Sequence, residues 1–312
     1  MRIGLDVMGG DYAPVEPILG ALEAHNEFSQ DFELVLVGDQ EKITSVLADN
    51  DKPQDFFKII HAPDAIDMGE HPTKAIVRKQ DSSIVKGFHA LQSGEIDAFA
   101  GAGNTGAMMV GAMYTIKTIP GIIRPTISSI LPKQNGGLGI ILDVGANADC
   151  KPDVLYQFGI IGSLFAENVY KLDNPKVGLL NIGEEEGKGS LLTQATYSLM
   201  KDTANLNFVG NVEGRDLFNG KADVVVCDGF TGNVVLKQAE SFYFILKGKE
   251  ISDDFFDLFN YELQGGCPIL GVNGSVVVGH GISKSLAIKN MIKLTADLAE
   301  SKLSEKIRVA FN

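Results

Sequence analysis

Short polar residues recur in this chain wherever an apolar run stops. Asp6 and Asp11 sit in LDVMGGD, Asn104 and Thr105 follow AGAG, and Asp143 and Asn147 belong to LDVGAN. Lys188 lies in GEEEGKG, Asp228, Thr231 and Asn233 lie in CDGFTGN, and His280 follows VVVG. Carboxylates, amides and hydroxyls beside glycine suit the handling of an oxyanion, because backbone N–H groups reach a ligand most closely where no side chain intervenes. In this reading Asn104, Asn233 and Lys188, with the N–H groups near Gly103 and Gly232, position a phosphoryl or carbonyl group. Asp228 or His280 takes a proton, while Asp6, Thr105, Asp143, Asn147 and Thr231 line the ligand. Taken one at a time, an Asp or Asn at a strand end more often caps the next helix or closes a turn. The recurrence of the pattern is what points to function.

Several chemistries are missing. No HExxH occurs, the five histidines are scattered, and no metal is called for. A GxSxG nucleophile elbow is absent. Gly101–Gly106 matches GxGxxG in letters, but the stretch near Ile119–Ile123 offers no acidic ribose partner, so no dinucleotide cofactor is implied. Cys150, Cys227 and Cys267 lie far apart without CxxC spacing. Cys227 ends an apolar run, a setting that raises a thiol pKa and disfavours the nucleophilic thiolate. The cysteines are therefore not expected to act as nucleophiles.

The elements that position these residues alternate. Val224–Cys227 is an unbroken apolar run of the kind buried on both faces of a sheet, Asp228–Asn233 carries turn chemistry, and Val234–Leu246 has helical length. Arg2–Val7, Phe32–Val37, Phe56–Ile60, Ile96–Ala100 and Val177–Ile182 repeat the strand, separated by helical stretches, among them 105–118 and 153–170. Such alternation predicts a largely parallel α/β sheet. Thr126–Leu131 and Leu138–Asp143 flank PKQNGG and predict an antiparallel hairpin. No linker divides residues 1–312, so one α/β catalytic domain is expected, with two intertwined lobes as its variant.

With 45% hydrophobic residues, the chain can bury a large core. Its net charge of −13 argues against nonspecific nucleic-acid binding, which requires neutralising phosphates. The opening MRIGLDV enters a strand directly, and no apolar stretch is long enough to span a bilayer, so a cytoplasmic protein is expected.

The blocks DVMGGDYAP, AGNTGAMM, RP followed by LDVGAN, KVGLLNIGEEEGKG, FVGNVEGRD, CDGFTGNVVLK, and GGCPILGVNG with GHG occur in that order over nearly the whole chain. Together they resemble the bacterial phosphate acyltransferases. The resemblance implies conversion of acyl-ACP (acyl carrier protein) and orthophosphate to acyl-phosphate and free ACP, feeding the glycerol-3-phosphate acylation that starts phospholipid synthesis. It also implies a homodimer and a three-layer α/β/α fold with a mostly parallel mixed sheet. That fold is the isocitrate and isopropylmalate dehydrogenase-like one, related to the phosphotransacetylases. CoA-dependent acyl transfer and a non-catalytic acyl- or phosphate-binding module are the alternatives.

An acidic enzyme using an acidic carrier needs a local basic patch, and Lys74, Arg78 and Lys79 offer one. Residues 248–264 mix phenylalanines with acids in a stretch too short to span a membrane. They are expected to form an exposed amphipathic element touching the inner face of the membrane or a membrane-bound glycerol-3-phosphate acyltransferase. Residues 240–264 are shorter than the helical protrusion of many family members.

Overall fold

Strands and helices alternate from the first residues of the computed structural model, which describes residues 1–311. The first stretch contains β1 (Arg2–Asp6), α1 (Val15–Phe28), β2 (Glu33–Gly38), α2 (Gln40–Asp49), β3 (Lys58–His61), α3 (Pro72–Arg78), α4 (Ser83–Ser93), β4 (Ala98–Gly101) and α5 (Thr105–Gly111). The second contains β5 (Thr126–Pro132), β6 (Leu138–Leu142), α6 (Pro152–Asn168), β7 (Val177–Leu180), α7 (Leu191–Lys201), β8 (Phe208–Val212), β9 (Val224–Val226), α8 (Gly229–Gly248) and α9 (Asp254–Asp257). The last contains α10 (Tyr261–Gln264), β10 (Cys267–Leu270), β11 (Ser275–Val278), α11 (Ser285–Glu300) and α12 (Leu303–Ala310). Two units result: Met1–Thr118 with Tyr261–Lys302, and Ile119–Asn260 with the tail from Leu303 onward.

In the first unit the strands run β3-β2-β1-β4-β11-β10. All pair in parallel except β10, which lies antiparallel to β11. Residues of β1 and β4 are buried on both faces, as expected for parallel strands covered by helices above and below. Phe99 of β4 meets Phe88 of α4 edge to face with ring centroids 5.2 Å apart, and both rings are fully buried. Burial of each ring is worth roughly 1.5–3 kcal/mol.

In the second unit the order is β5-β6-β9-β7-β8. The β5–β6 hairpin is antiparallel, with Ser129 opposite Ile141, and the remaining pairs are parallel. At the strand starts, buried Lys133 is ion-paired with Asp223, whose other oxygen accepts the Lys176 N–H at 2.7 Å. Each unit is thus a parallel sheet with one antiparallel strand, the mixed α/β/α class that the sequence indicates.

Local structure departs from the sequence reading in three places. Residues 228–233 are not a loop: α8 begins at Gly229, and Asp228 is its N-cap. The helix expected over 105–118 is α-helical only to Gly111 and continues as a π-helical turn over Ala112–Ile116. Asn273 holds the end of that turn, its Nδ2 donating to the carbonyls of Ile116, Lys117 and Thr118 at 2.9–3.2 Å. Residues 248–260 do not leave their phenylalanines bare. Phe259 is 2% exposed and packs with Ala239 and Tyr243 of α8, while Phe255, Phe256 and Phe218 close over this cluster.

Candidate functional site

Three loops converge beyond the strand ends of the first unit: Met8–Asp11 after β1, Ala102–Asn104 after β4, and Gly279–Ser283 after β11. Asp11 N–H donates to the Gly281 carbonyl at 2.8 Å. A Cβ on Gly9 would lie 2.6 Å from the Gly103 Cα, so the two loops pack backbone to backbone. Asp6, 1% exposed, lies beneath them. Its Oδ1 accepts the Met8 N–H at 2.9 Å, and its Oδ2 makes no hydrogen bond of normal geometry. Burial pushes the Asp6 carboxyl above the usual aspartate range, against the opposing pull of the Ser83 hydroxyl and the Met8 and Gly9 N–H groups. The enclosed side chain thus braces the loops that cover it.

Asn104 is also committed to the fold. Its Oδ1 accepts the Ala107 N–H at 2.9 Å, capping α5, and its Nδ2 donates to the carbonyls of Asp67, Met68 and Glu70 at 3.0–3.1 Å. One amide ties the 67–70 loop to the start of α5, so its donors are not the phosphate donors expected from sequence. What remains open there is the backbone: the Thr105 and Gly106 N–H groups have no protein acceptor among the described residues. Thr105 itself is exposed. His280 is partly buried, with its ring 5.2 Å from that of Tyr261.

In the second unit the corresponding buried carboxyl is Asp143, fully enclosed just past β6. Its Oδ1 accepts the N–H groups of Ile127 (3.2 Å) and Ala146 (3.1 Å). Its Oδ2 accepts the N–H (2.6 Å) and Nδ2 (2.8 Å) of Asn147. Burial again raises the pKa, opposed by the Asn147 side chain and these backbone donors. Asn147 Nδ2 donates further to the Pro125 carbonyl at 2.8 Å. Asp143 and Asn147 therefore form a bracket that holds the strand-end turn.

The helix α8 starts against this bracket. Gly229 N–H donates to the Asn147 carbonyl at 2.8 Å. The Asp228 carboxylate takes the Thr231 N–H and the Thr231 hydroxyl, both at 2.8 Å. Asp228 and Thr231 thus complete each other as a helix cap. Gly232 is required for packing, since a Cβ there would collide with the Asp143 carbonyl and come within 2.8 Å of Cys227 Sγ. Asn233 is exposed, with its Nδ2 3.3 Å from the Val144 carbonyl. Lys188 is exposed on the turn after β7. Asn181 and Asn211 fold that turn back, donating to the carbonyls of Lys188 (3.1 Å) and Glu185 (2.9 Å).

Burial disfavours the nucleophilic thiolate of both cysteines beside this bracket. Cys227 is enclosed, and burial with nearby Asp228 and Asp143 drives its pKa well up. Burial and the charges of Asp143 and Asp228 push Cys150 up to about 12, with only Arg124 opposing. Among the described residues no metal-ligand cluster is present and no helix is long and apolar enough to cross a membrane.

Of the three basic residues singled out for carrier docking, Lys74 and Arg78 are exposed on α3. Lys79 instead bonds Glu70 Oε1 at 2.6 Å and the Ala65 carbonyl at 2.7 Å, which largely neutralises it. Sequence reasoning overlooked the anchoring side chains Gln157, Asn181, Asn211 and Asn273. A polar residue inside an otherwise apolar run, as in LYQFGII and LLNIG, is the signal that could have found them.

A family model described as fatty acid synthesis protein matches residues 1–254. The phosphate acyltransferase of Dictyoglomus turgidum is 44% identical over 331 aligned positions, covering 100% of this chain and 98% of its own. That of Halothermothrix orenii is 44% identical over 336 positions, covering 100% and 99%. Among solved structures, a phosphotransacetylase from Streptococcus pyogenes superimposes with a TM-score of 0.67 at 17% identity, over 96% of this chain and 94% of that one. A branched-chain phosphotransacylase from Enterococcus faecalis gives 0.65 at 13% identity, over 96% and 99%. These two likenesses establish the fold.

Proposed function

This chain belongs to the fatty acid synthesis protein family, with phosphate acyltransferases as its relatives, and from that membership we propose that it transfers the acyl group of acyl-ACP to orthophosphate. The observation that carries the reading is end-to-end identity of 44% with enzymes of that name. A phosphate oxygen attacks the thioester carbonyl, a C–O bond forms, and collapse of the tetrahedral adduct breaks the C–S bond. The carrier thiolate leaves and takes up the proton that hydrogen phosphate brought. Two features of this chain support direct attack: the buried, high-pKa thiols Cys150 and Cys227, and strand-end turns whose side chains are consumed in holding the backbone still. Fixing two reactants in register can lower a barrier by roughly 7–11 kcal/mol, so rigid loops are themselves a catalytic asset.

The test is acyl-phosphate formation from acyl-ACP, with and without orthophosphate, beside an acyl-CoA control. Phosphate-dependent product from acyl-ACP supports the reading, and product from acyl-CoA alone replaces it with the CoA-dependent one. We assign carrier docking to exposed Lys74 and Arg78, whose reversal to Glu should raise the KM for acyl-ACP and flatten its salt dependence. The exposed apolar positions Phe230, Val234, Phe242, Phe244 and Ile245 of α8 support a homodimer, and sedimentation at micromolar protein tests it.

A further inference from the structure

Arg124, the arginine of the RP block, has no role assigned to it by the sequence. It is exposed, yet the chain on both sides of it is clamped by side chains from other elements. On the N-terminal side, Gln157 of α6 accepts the Ile123 N–H with Oε1 and donates Nε2 to the Gly121 carbonyl, both at 2.8 Å. On the C-terminal side, Asn147 Nδ2 holds the Pro125 carbonyl at 2.8 Å, and Asp143 Oδ1 holds the Ile127 N–H at 3.2 Å. The guanidinium is itself oriented, with Nη1 donating to the Asp149 carbonyl at 2.8 Å.

No carboxylate among the described residues pairs with it. An ordinary surface arginine has a mobile backbone or a salt-bridge partner. This one has neither, and most of its donors are left over. It lies close enough to Cys150 for its charge to oppose those of Asp143, Asp228 and Asp149 there, which places it beside the strand ends of β6 and β9. The neighbouring polar groups are less suited: Asn147 and Thr231 spend their donors within the protein, and Lys188 rides an exposed turn.

We propose that Arg124 binds the phosphoryl oxygens of orthophosphate, and of the acyl-phosphate product, through the fork of N–H groups that Asp149 leaves free. A planar guanidinium matches two phosphoryl oxygens at once, and the clamps mean that little backbone entropy is lost on binding. The assignment rests on the acyl-to-phosphate reading above.

Its test uses the whole enzyme and the variants Arg124→Gln and Arg124→Lys, with inorganic phosphate as the probe. Arg124→Gln should raise the KM for phosphate by about 10- to 100-fold and leave the KM for the acyl donor within about twofold, the span expected for a charged hydrogen-bond pair. Arg124→Lys should fall between, because a point charge is kept and the fork is lost, and added guanidinium ion should restore part of the Arg124→Gln rate. Independently of turnover, phosphate should raise the melting temperature of the wild type and not that of Arg124→Gln. A folded Arg124→Gln enzyme with wild-type phosphate KM overturns the assignment, as does a KM increase confined to the acyl donor. If the wild type forms no acyl-phosphate while its phosphate-dependent stabilisation still disappears in Arg124→Gln, the reaction assignment falls and the phosphate site stands.

Discussion

The close seating of α8 on the Asp143–Asn147 turn makes Gly229→Ala a demanding test. A Cβ at Gly229 would stand 2.8 Å from Asp143 Oδ2 and 2.9 Å from both the N and O atoms of Asn147. Ordinary carbon contacts are about 3.5–4.0 Å, so every one of these is too short by more than about half an ångström. None of the three atoms can yield alone, because Asp143 Oδ2 and the Asn147 N–H are bonded to each other at 2.6 Å. Overpacking of this kind costs about 1–3 kcal/mol, and the strained Gly229–Asn147 hydrogen bond adds about 1 kcal/mol. Reduced freedom of the unfolded chain offsets about 0.4–1 kcal/mol. The net loss of about 1–3.6 kcal/mol should lower the melting temperature by about 2–14 °C, at about 2–4 °C per kcal/mol for a unit of this size. Gly248→Ala, at the other end of the same helix, is the control: its Cβ meets nothing within 4 Å, and its melting temperature should hold or rise slightly. Differential scanning fluorimetry, with circular dichroism to confirm folding, reads both variants. Equal melting temperatures for the two would refute the seating of α8 on this bracket.

Asn104→Asp should destabilise more than Asn104→Ala, since it faces a carboxylate oxygen with the carbonyls of Asp67, Met68 and Glu70, and hydrogen exchange in residues 67–70 should rise first. The raised pKa of buried Asp6 means that the native state holds a proton the unfolded chain releases near pH 4, so stability falls as pH climbs from there through the native pKa. Asp6→Asn removes this dependence, and the melting temperature of the wild type should decline relative to the variant over that window; parallel curves would rule out a titrating Asp6. Cys150→Ala and Cys227→Ala should keep turnover within about tenfold of the wild type, and intact mass after incubation with acyl-ACP alone should show no acyl adduct. A stoichiometric adduct discharged by phosphate at the turnover rate would establish an acyl-enzyme instead.

The fold was legible in the chain because its causes are local and repeated. Apolar runs such as Val224–Val226 ended where small polar residues began, PKQNGG marked the hairpin, and each strand-end block announced a turn. The same locality explains the misplaced start of α8. DGFTGN has the composition of a turn, and only the Thr231 hydroxyl closing on Asp228, together with Asn147 receiving the Gly229 N–H, pulls its glycines into a helix.

What sequence alone determined, then, is where the strand ends fall and which residue types gather at them. Tertiary structure decided what each does there, because a hydrogen bond depends on partners that are distant along the chain. Asn104 is spent on residues 34 to 37 positions away, and Asn147 on Pro125, 22 positions back. Asp6 and Asp143 carry the composition of ligands but are sealed beneath their own loops by packing that no short motif encodes. Arg124 stood in the RP block without a role for the converse reason: one exposed arginine is unremarkable until Gln157, Asn147 and Asp149 are seen converging from other elements to hold it in place.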